Sequence, residues 1–349
     1  MNLYDKNGYL DFDTIYNRPC FVQLITGGRG TGKTYSALKY CIEHELKFFY
    51  LRRTNTVVEL LSSTENNPLK KLNSDNGWSY EPYTLTKYTT GFYKTVVNDK
   101  GKAERDGPCI GYMAGLSTFN NIRGFDGSDI EVVLYDEFVP TKTEKKLRGE
   151  FEGLMHCYES INRNRDIKEG RPPLKLVCMS NSDDLVNQIY IGFDVVNTVI
   201  RMKRKKQVVY ENQKTGLGIY LLDFSPISAA KAESPIYKLL GAESEFSRMA
   251  LGNDFVSSES TLPKIAHKLN ELVPVVAIGE LCIYKIKGSG RLYASTHISG
   301  HPDRFTMTPA DAKRFRYNYQ WVQICYLNRT IDCESYMSES LLTSVLYDL

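Results

Sequence analysis

The chain opens with unbroken apolar runs separated by polar, helix-prone stretches. Phe21–Thr26 (FVQLIT), Phe48–Leu51 (FFYL), Ile130–Tyr135 (IEVVLY) and Leu174–Met179 (LKLVCM) are short and continuous in their apolar character. Such runs fit strands buried on both faces. Thr34–His44 between the first two has helical composition. Strands alternating with helices predict a parallel sheet with helices on both sides, an α/β fold. Between Thr54 and Asp129 turn signals are dense (Asn66-Asn67-Pro68, Asn76-Gly77, Asn98-Asp99, Asp106-Gly107-Pro108), and Tyr80–Val97 is rich in Tyr, Thr and Val. That segment predicts a hairpin inserted into the sheet domain. The charged stretch Lys142–Glu152 predicts an exposed helix.

The character changes after about Ile200. Arg201–Lys206 is a basic run, and Ser225–Asp254 holds helical stretches punctuated by Pro226 and Pro235. A β pattern returns in Val273–Ile278, Leu281–Ile286 and Arg291–Thr296, with Gly288-Ser289-Gly290 as a turn, and a helical tail follows. The expected division is a first domain over 1–200, a linker over 201–255 and a smaller domain over 256–349.

Composition adds little that is specific. Of 349 residues, 42% are apolar and 24% charged, as in an ordinary globular protein. A net charge of +3 neither demands nor opposes a polyanionic partner. The eight cysteines form no CxxC pair, and the first ten residues carry no apolar leader core. Reduced thiols in a cytosolic protein are the expectation. No run approaches the ~20 apolar residues that span a bilayer, so no membrane partner is expected.

The chemistry concentrates in Gly27-Gly28-Arg29-Gly30-Thr31-Gly32-Lys33-Thr34, a complete GxxxxGK[ST] pattern between an apolar strand and a helix. Glycines let backbone N–H groups face phosphate oxygens, and the helix N-terminus adds positive charge. Lys33 is expected on the β- and γ-phosphates of ATP and Thr34 on Mg²⁺. A second strand delivers Asp136 and Glu137 at its C-terminal end, where open α/β sheets bind ligands. Asp136 is expected to hold Mg²⁺ and Glu137 to polarise the attacking water as general base. A third strand ends at Ser180-Asn181, and Asn181 is a candidate for sensing the γ-phosphate. Among the arginines, Arg163 and Arg165 precede that strand; they are either a surface pair or the source of a residue acting on a neighbouring subunit's nucleotide. Arg29 touches phosphate in its own subunit or reaches a neighbour, and Arg52 and Arg53 support the site, bind DNA phosphates or are salt-bridged at the surface.

Taken together, FVQLIT leading into GGRGTGKT, then FFYLRR, LYDEF (Leu134–Phe138), NRNR (Asn162–Arg165) and KLVCMSN (Lys175–Asn181) resemble the phi29-like phage DNA-packaging ATPases, relatives of the large terminase subunits. Coverage is good over 15–200; over 255–340 only Leu292–His297 echoes the family. The resemblance implies a P-loop NTPase domain of the additional-strand, catalytic-glutamate type followed by a smaller RNase H-like domain. It also implies a homo-oligomeric ring, typically pentameric, at the portal vertex of a phage procapsid in the host cytoplasm. That ring drives double-stranded DNA inward with ATP, in some members with a structural RNA. Arg163 falls at the family's trans-acting arginine finger.

The 80–108 segment looks longer than the family's usual one. No metal-binding carboxylate set is recognisable in the second domain: Glu280, Asp303, Asp311 and Asp332 are scattered, so nuclease activity is expected to be absent. His297 and His301, four apart with Asp303 near, have the spacing of a Zn²⁺ pair on a helix, but Gly300 and Pro302 favour polar loop residues; Arg201–Lys206 reads as a solvated linker or a contact to DNA, RNA or portal. Lys87, Lys94, Lys100, Lys102, Arg105 and Arg123 are the candidate DNA-gripping cations. Two rival functions remain at this stage: another ring-forming DNA motor such as a helicase, and a nucleotide-gated binding protein with little turnover.

Overall fold

The computed structural model describes residues 3–99, 101, 103–122, 125–140, 144, 147–181, 184–222, 225–241, 244–252 and 267–348. Its helices, in chain order, are α1 (Phe12–Tyr16), α2 (Lys33–Glu43), α3 (Asn55–Leu61), α4 (Lys70–Asn76), α5 (Glu150–Asn162), α6 (Arg165–Lys168), α7 (Gln188–Gly192), α8 (Val196–Arg204), α9 (Pro226–Ala232), α10 (Pro235–Leu240), α11 (Glu245–Gly252), α12 (Pro309–Asn318), α13 (Gln320–Leu327) and α14 (Tyr336–Thr343). No described helix is long and apolar enough to cross a membrane. The chain divides into two compact units. One comprises residues 1–139, 152–182 and 206–254; the other comprises 140–151, 183–205 and 255–349.

The first unit is built on a nine-stranded sheet. Its strands are β1 (Val22–Gly27), β2 (Phe48–Arg52), β3 (Tyr80–Thr86), β4 (Thr89–Val97), β5 (Ala103–Gly115), β6 (Val132–Asp136), β7 (Lys175–Ser180), β8 (Val209–Asn212) and β9 (Leu217–Leu222), in the order β3-β4-β5-β2-β6-β7-β1-β9-β8. The six central strands from β5 to β9 are all parallel. Every residue of β1, β6 and β9 is buried, as the apolar runs require of strands covered on both faces. The chain leaves β1 through α2 and returns at β2, with β7 and β6 lying between the two strands. This opens a crevice at the strands' C-terminal ends.

One expectation is extended and two are corrected. The predicted hairpin is present as β3 and β4, but it is not a separate insert: β5 pairs antiparallel with β4 and parallel with β2, which joins the hairpin to the main sheet. Pro108 lies where the β4–β5 register slips, a bulge that accommodates a residue without an N–H. The expected helix over 142–152 begins only at Glu150; Thr141–Thr143, Lys145 and Lys146 lie outside the described residues. Finally, the expected linker over 201–255 is largely part of the first unit. Leu217–Leu222 lies parallel to β1 in full register, β8 pairs antiparallel with it, and α9–α11 follow. Burying that apolar strand against β1 outweighs the polar and basic character of its surroundings.

The second unit holds a five-stranded sheet of β10 (Leu272–Ile278), β11 (Leu281–Ile286), β12 (Leu292–Ser295), β13 (Asp303–Phe305) and β14 (Ile331–Cys333), ordered β13-β10-β11-β12-β14. β10–β12 form an antiparallel meander, and β13 and β14 add in parallel at the two edges. Leu272, Ala277, Cys282, Tyr284, Ile286 and Tyr293 form its core cluster. Residues 183–205, with α7 and α8, belong to this unit rather than to the first.

Candidate nucleotide site

The register fixes where the site forms. Met179 of β7 pairs with Ile25 of β1 on one side and Asp136 of β6 on the other. The phosphate loop, the acidic pair and Asn181 therefore leave three adjacent strands at one edge. They line a cavity of ≈ 340 Å³ together with Tyr35 and Ser180.

Gly30 (φ 70°) and Gly32 (φ 82°) take the left-handed conformation that turns the loop into α2, with Gly32 as the helix N-cap. Lys33 is buried. Its Nζ donates to the carbonyls of Gly27 (3.1 Å) and Gly28 (2.8 Å) and to Asn181 Oδ1 (3.2 Å). Thr31 Oγ1 donates to the Gly28 carbonyl at 3.0 Å, closing the loop on itself. Thr34 Oγ1 donates to Asp136 Oδ2 at 2.8 Å.

Around the acidic pair the structure shows what the sequence did not. Asp136 Oδ2 also accepts from the buried Tyr50 hydroxyl (2.7 Å) and from Arg52 Nη1 (3.1 Å), and Arg52 Nη2 donates to Glu137 Oε2. Arg52 Nη1 further donates to the Tyr50 hydroxyl at 3.0 Å. Burial alone would lower the Arg52 pKa, but Tyr50, Asp136 and Glu137 around it raise it on balance. Burial, then the charge of Asp136, pushes the Tyr50 phenol up. Arg52 thus supports the site and, with a side chain 11% exposed, is no surface charge. Tyr50 and Arg52 stand two apart on β2, so they share a face, and β2 lies beside β6. That alternation was the signal available in the sequence; the lateral order of strands was not. Glu137 is about half exposed and has φ 56°, uncommon for a residue with a side chain and characteristic of functional turns.

The remaining candidates separate. Arg29 lines the cavity, and its buried Nε has no hydrogen-bond partner among the described residues. Arg53 is buried, which argues against a DNA contact. Arg163 does not line its own chain's cavity. It follows α5 in a turn where it and Asn164 both have positive φ (46° and 58°), and its exposed guanidinium binds Asp126 Oδ1 (3.2 Å) and the Phe125 carbonyl (3.1 Å). Arg165 is buried and donates to the Ile130 carbonyl, a structural role. Among the proposed gripping cations, Arg105 lies over the rings of Tyr83 and Tyr93 and Lys94 faces Asp106 at 3.9 Å. Lys100, Lys102 and Arg123 lie outside the described residues.

The family described as podovirus DNA encapsidation protein (Gp16) matches residues 4–298. The chain belongs to that family. As a member it is a phage DNA encapsidation protein, in keeping with a nucleotide site at one end of a parallel sheet. Among solved structures, a chain of the Phi-28 gp11 DNA packaging motor is similar over 98% of this chain and 99% of its own, at 15% identity and a TM-score of 0.61. A chain of the bacteriophage Phi-29 viral genome packaging motor assembly is similar over 99% of both, at 16% identity and a TM-score of 0.58. At such identities the likeness is one of fold, and it runs through both units of this encapsidation-family chain. No curated protein sequence matches it.

Proposed function

We propose that this chain hydrolyses ATP at the Gly27–Thr34 loop and uses the energy to drive double-stranded DNA into a phage procapsid. The observation that carries the reading is the convergence of Lys33, Thr34, Asp136, Glu137 and Asn181 on one cavity at the ends of β1, β6 and β7. Loop N–H groups and Lys33 hold the triphosphate. Glu137 takes the proton of a water that attacks the γ-phosphorus, and ADP leaves. Asn181, already bonded to Lys33, lies where loss of the γ-phosphate is felt. Thr34 Oγ1 and Asp136 Oδ2, 2.8 Å apart, are the hard oxygen donors that suit Mg²⁺, which when bound with ATP neutralises charge on the β- and γ-oxygens. Glu137 must first leave Arg52, because an ion-paired carboxylate is a poorer base.

Arg163 supplies its guanidinium to a neighbouring subunit's site in a homo-oligomeric ring at the portal vertex, in the host cell. Its exposure and its absence from the lining of its own cavity support a role outside its own chain. The second unit is the RNase H-like domain and does not cut DNA. In its support, Asp303 accepts from Tyr319, Asp311 from Thr306, and Asp332 from Arg291, while Glu280 sits apart near Asp194. Among the described residues no group of three or more His, Cys, Asp or Glu is placed to hold a metal.

The test is phosphate release by the full chain with Mg²⁺ and ATP, with and without duplex DNA. Wild type turns over, and Glu137→Gln loses on the order of 10²–10⁴ in kcat while binding nucleotide. Turnover unaffected by Glu137→Gln overturns the mechanism, and strand separation of a duplex substrate would favour a helicase.

A further inference from the structure

The phosphate loop has an outer face, and α9 and α11 lie against it. Ser225 starts α9 by accepting from the Ile227 N–H, with Pro226 at the first helical position. The helix ends at Ala232, and Lys231 in its last turn donates from Nζ to the carbonyl oxygen of Arg29. A Cβ added to Gly30 would stand 2.6 Å from that Nζ, and one added to Gly28 would stand 2.7 Å from the Ala250 carbonyl of α11. Two loop glycines therefore admit this helical segment as well as phosphate. The contact is electrostatically unusual. Burial, then the charge of Arg29, lowers the Lys231 pKa, and Lys231 makes no ion pair among the described residues. Arg29 Nε, close by, has no partner there either. Cations gathered without a counter-charge are relieved when a polyanion binds.

We infer that Lys231 is a positioning residue of the nucleotide site: by holding the Arg29 carbonyl it fixes the Arg29–Gly30 peptide with its N–H turned toward bound phosphate, and it thereby ties nucleotide occupancy to α9. In a trans peptide the carbonyl and the N–H point in opposite directions, so a donor clamped on one aims the other. Gly30 has no side chain to restrain that peptide plane, and it sits at φ 70°, a conformation glycine adopts without a Cβ clash. The inference rests on the reading of Gly27–Thr34 as the ATP site. It assigns a function to a segment that the sequence presents as a linker. α11 is also the last element of the first unit among the described residues before the chain passes into the second.

The experiment titrates the full chain with a fluorescent methylanthraniloyl ATP analogue and Mg²⁺, beside steady-state hydrolysis. Lys231→Met is expected to bind the analogue ~10-fold more weakly, with kcat at saturation within ~3-fold of wild type, because a hydrogen bond from a charged donor is lost from binding and not from the chemical step. Lys231→Arg, which keeps a charged donor, returns affinity to within ~3-fold of wild type. Hydrogen exchange in residues 225–232 slows on adding nucleotide to wild type and not to Lys231→Met. Should Lys231→Met fail to melt cooperatively, Lys231→Gln takes its place and is read the same way. Unchanged affinity in the charge-removed variant, or lost kcat with affinity intact, overturns the inference. A wild-type chain that binds no analogue while folded overturns instead the ATP reading on which it rests.

Discussion

Arg52 and Glu137 are joined by a hydrogen-bonded ion pair in which the guanidinium also grips Asp136 at 3.1 Å. The residue that holds Asp136, the carboxylate proposed for Mg²⁺, thus also restrains the proposed base. Asp136 keeps the Tyr50 and Thr34 hydroxyls if Arg52 is lost, whereas no other partner of the Glu137 carboxylate is seen among the described residues. Arg52→Gln is expected to raise DNA-independent ATP hydrolysis several-fold and to flatten its stimulation by duplex DNA. Phosphate release measured with and without DNA checks this; a variant whose stimulation ratio matches wild type shows that the pair does not gate the base.

Arg163 is absent from the lining of its own chain's cavity and binds Asp126 instead, and the proposal assigns its effect on turnover to a neighbour's site. Arg163→Ala and Glu137→Ala are each expected to be inactive in assembled rings, and mixtures of the two to regain activity, since some interfaces pair an intact base with an intact arginine. Activity of mixed rings against mixing ratio is the readout. Mixtures as inactive as either parent would place both residues in one subunit's site.

The second unit carries a pH-dependent liability. Glu280 is half-buried near Asp194, and burial, then that charge, pushes its carboxyl up to about 7 from an ordinary value near 4.5. Because the folded-state pKa is raised, the stability linked to this group is fully present below about pH 4.5, declines as pH rises from there and is lost above about pH 7. Glu280→Gln, which keeps shape without ionising, is expected to raise the melting temperature of this unit by a few degrees at pH 8 and to leave it nearly unchanged at pH 4.5. Calorimetry at the two pH values decides, and equal shifts at both contradict the assignment.

How far the sequence revealed this structure depended on what each signal measures. FVQLIT, LYDEF and KLVCMSN were readable because a strand buried on both faces must be apolar throughout, and because phosphate chemistry fixes residue types at short range. β5 was hidden by Gly107-Pro108, a turn signal in isolation that the sheet absorbs as a bulge. Leu217–Leu222 is as apolar as β1, yet its basic and proline-containing surroundings pointed to a linker; only pairing with β1 shows it to be a sheet strand. The grip of Tyr50 and Arg52 on the acidic pair follows from β2 lying beside β6, and the reach of Lys231 follows from α9 folding onto the loop. Both are long-range placements that no local pattern carries.

The central claim is that ATP hydrolysis at this site moves DNA. Its most direct test is DNA packaging into purified procapsids, scored as duplex DNA protected from nuclease, with wild type beside Glu137→Gln under Mg²⁺ and ATP. Protected DNA is expected with wild type, none with a non-hydrolysable ATP analogue, and none with Glu137→Gln although that variant binds nucleotide. Full protection with Glu137→Gln, or with the analogue, would contradict it.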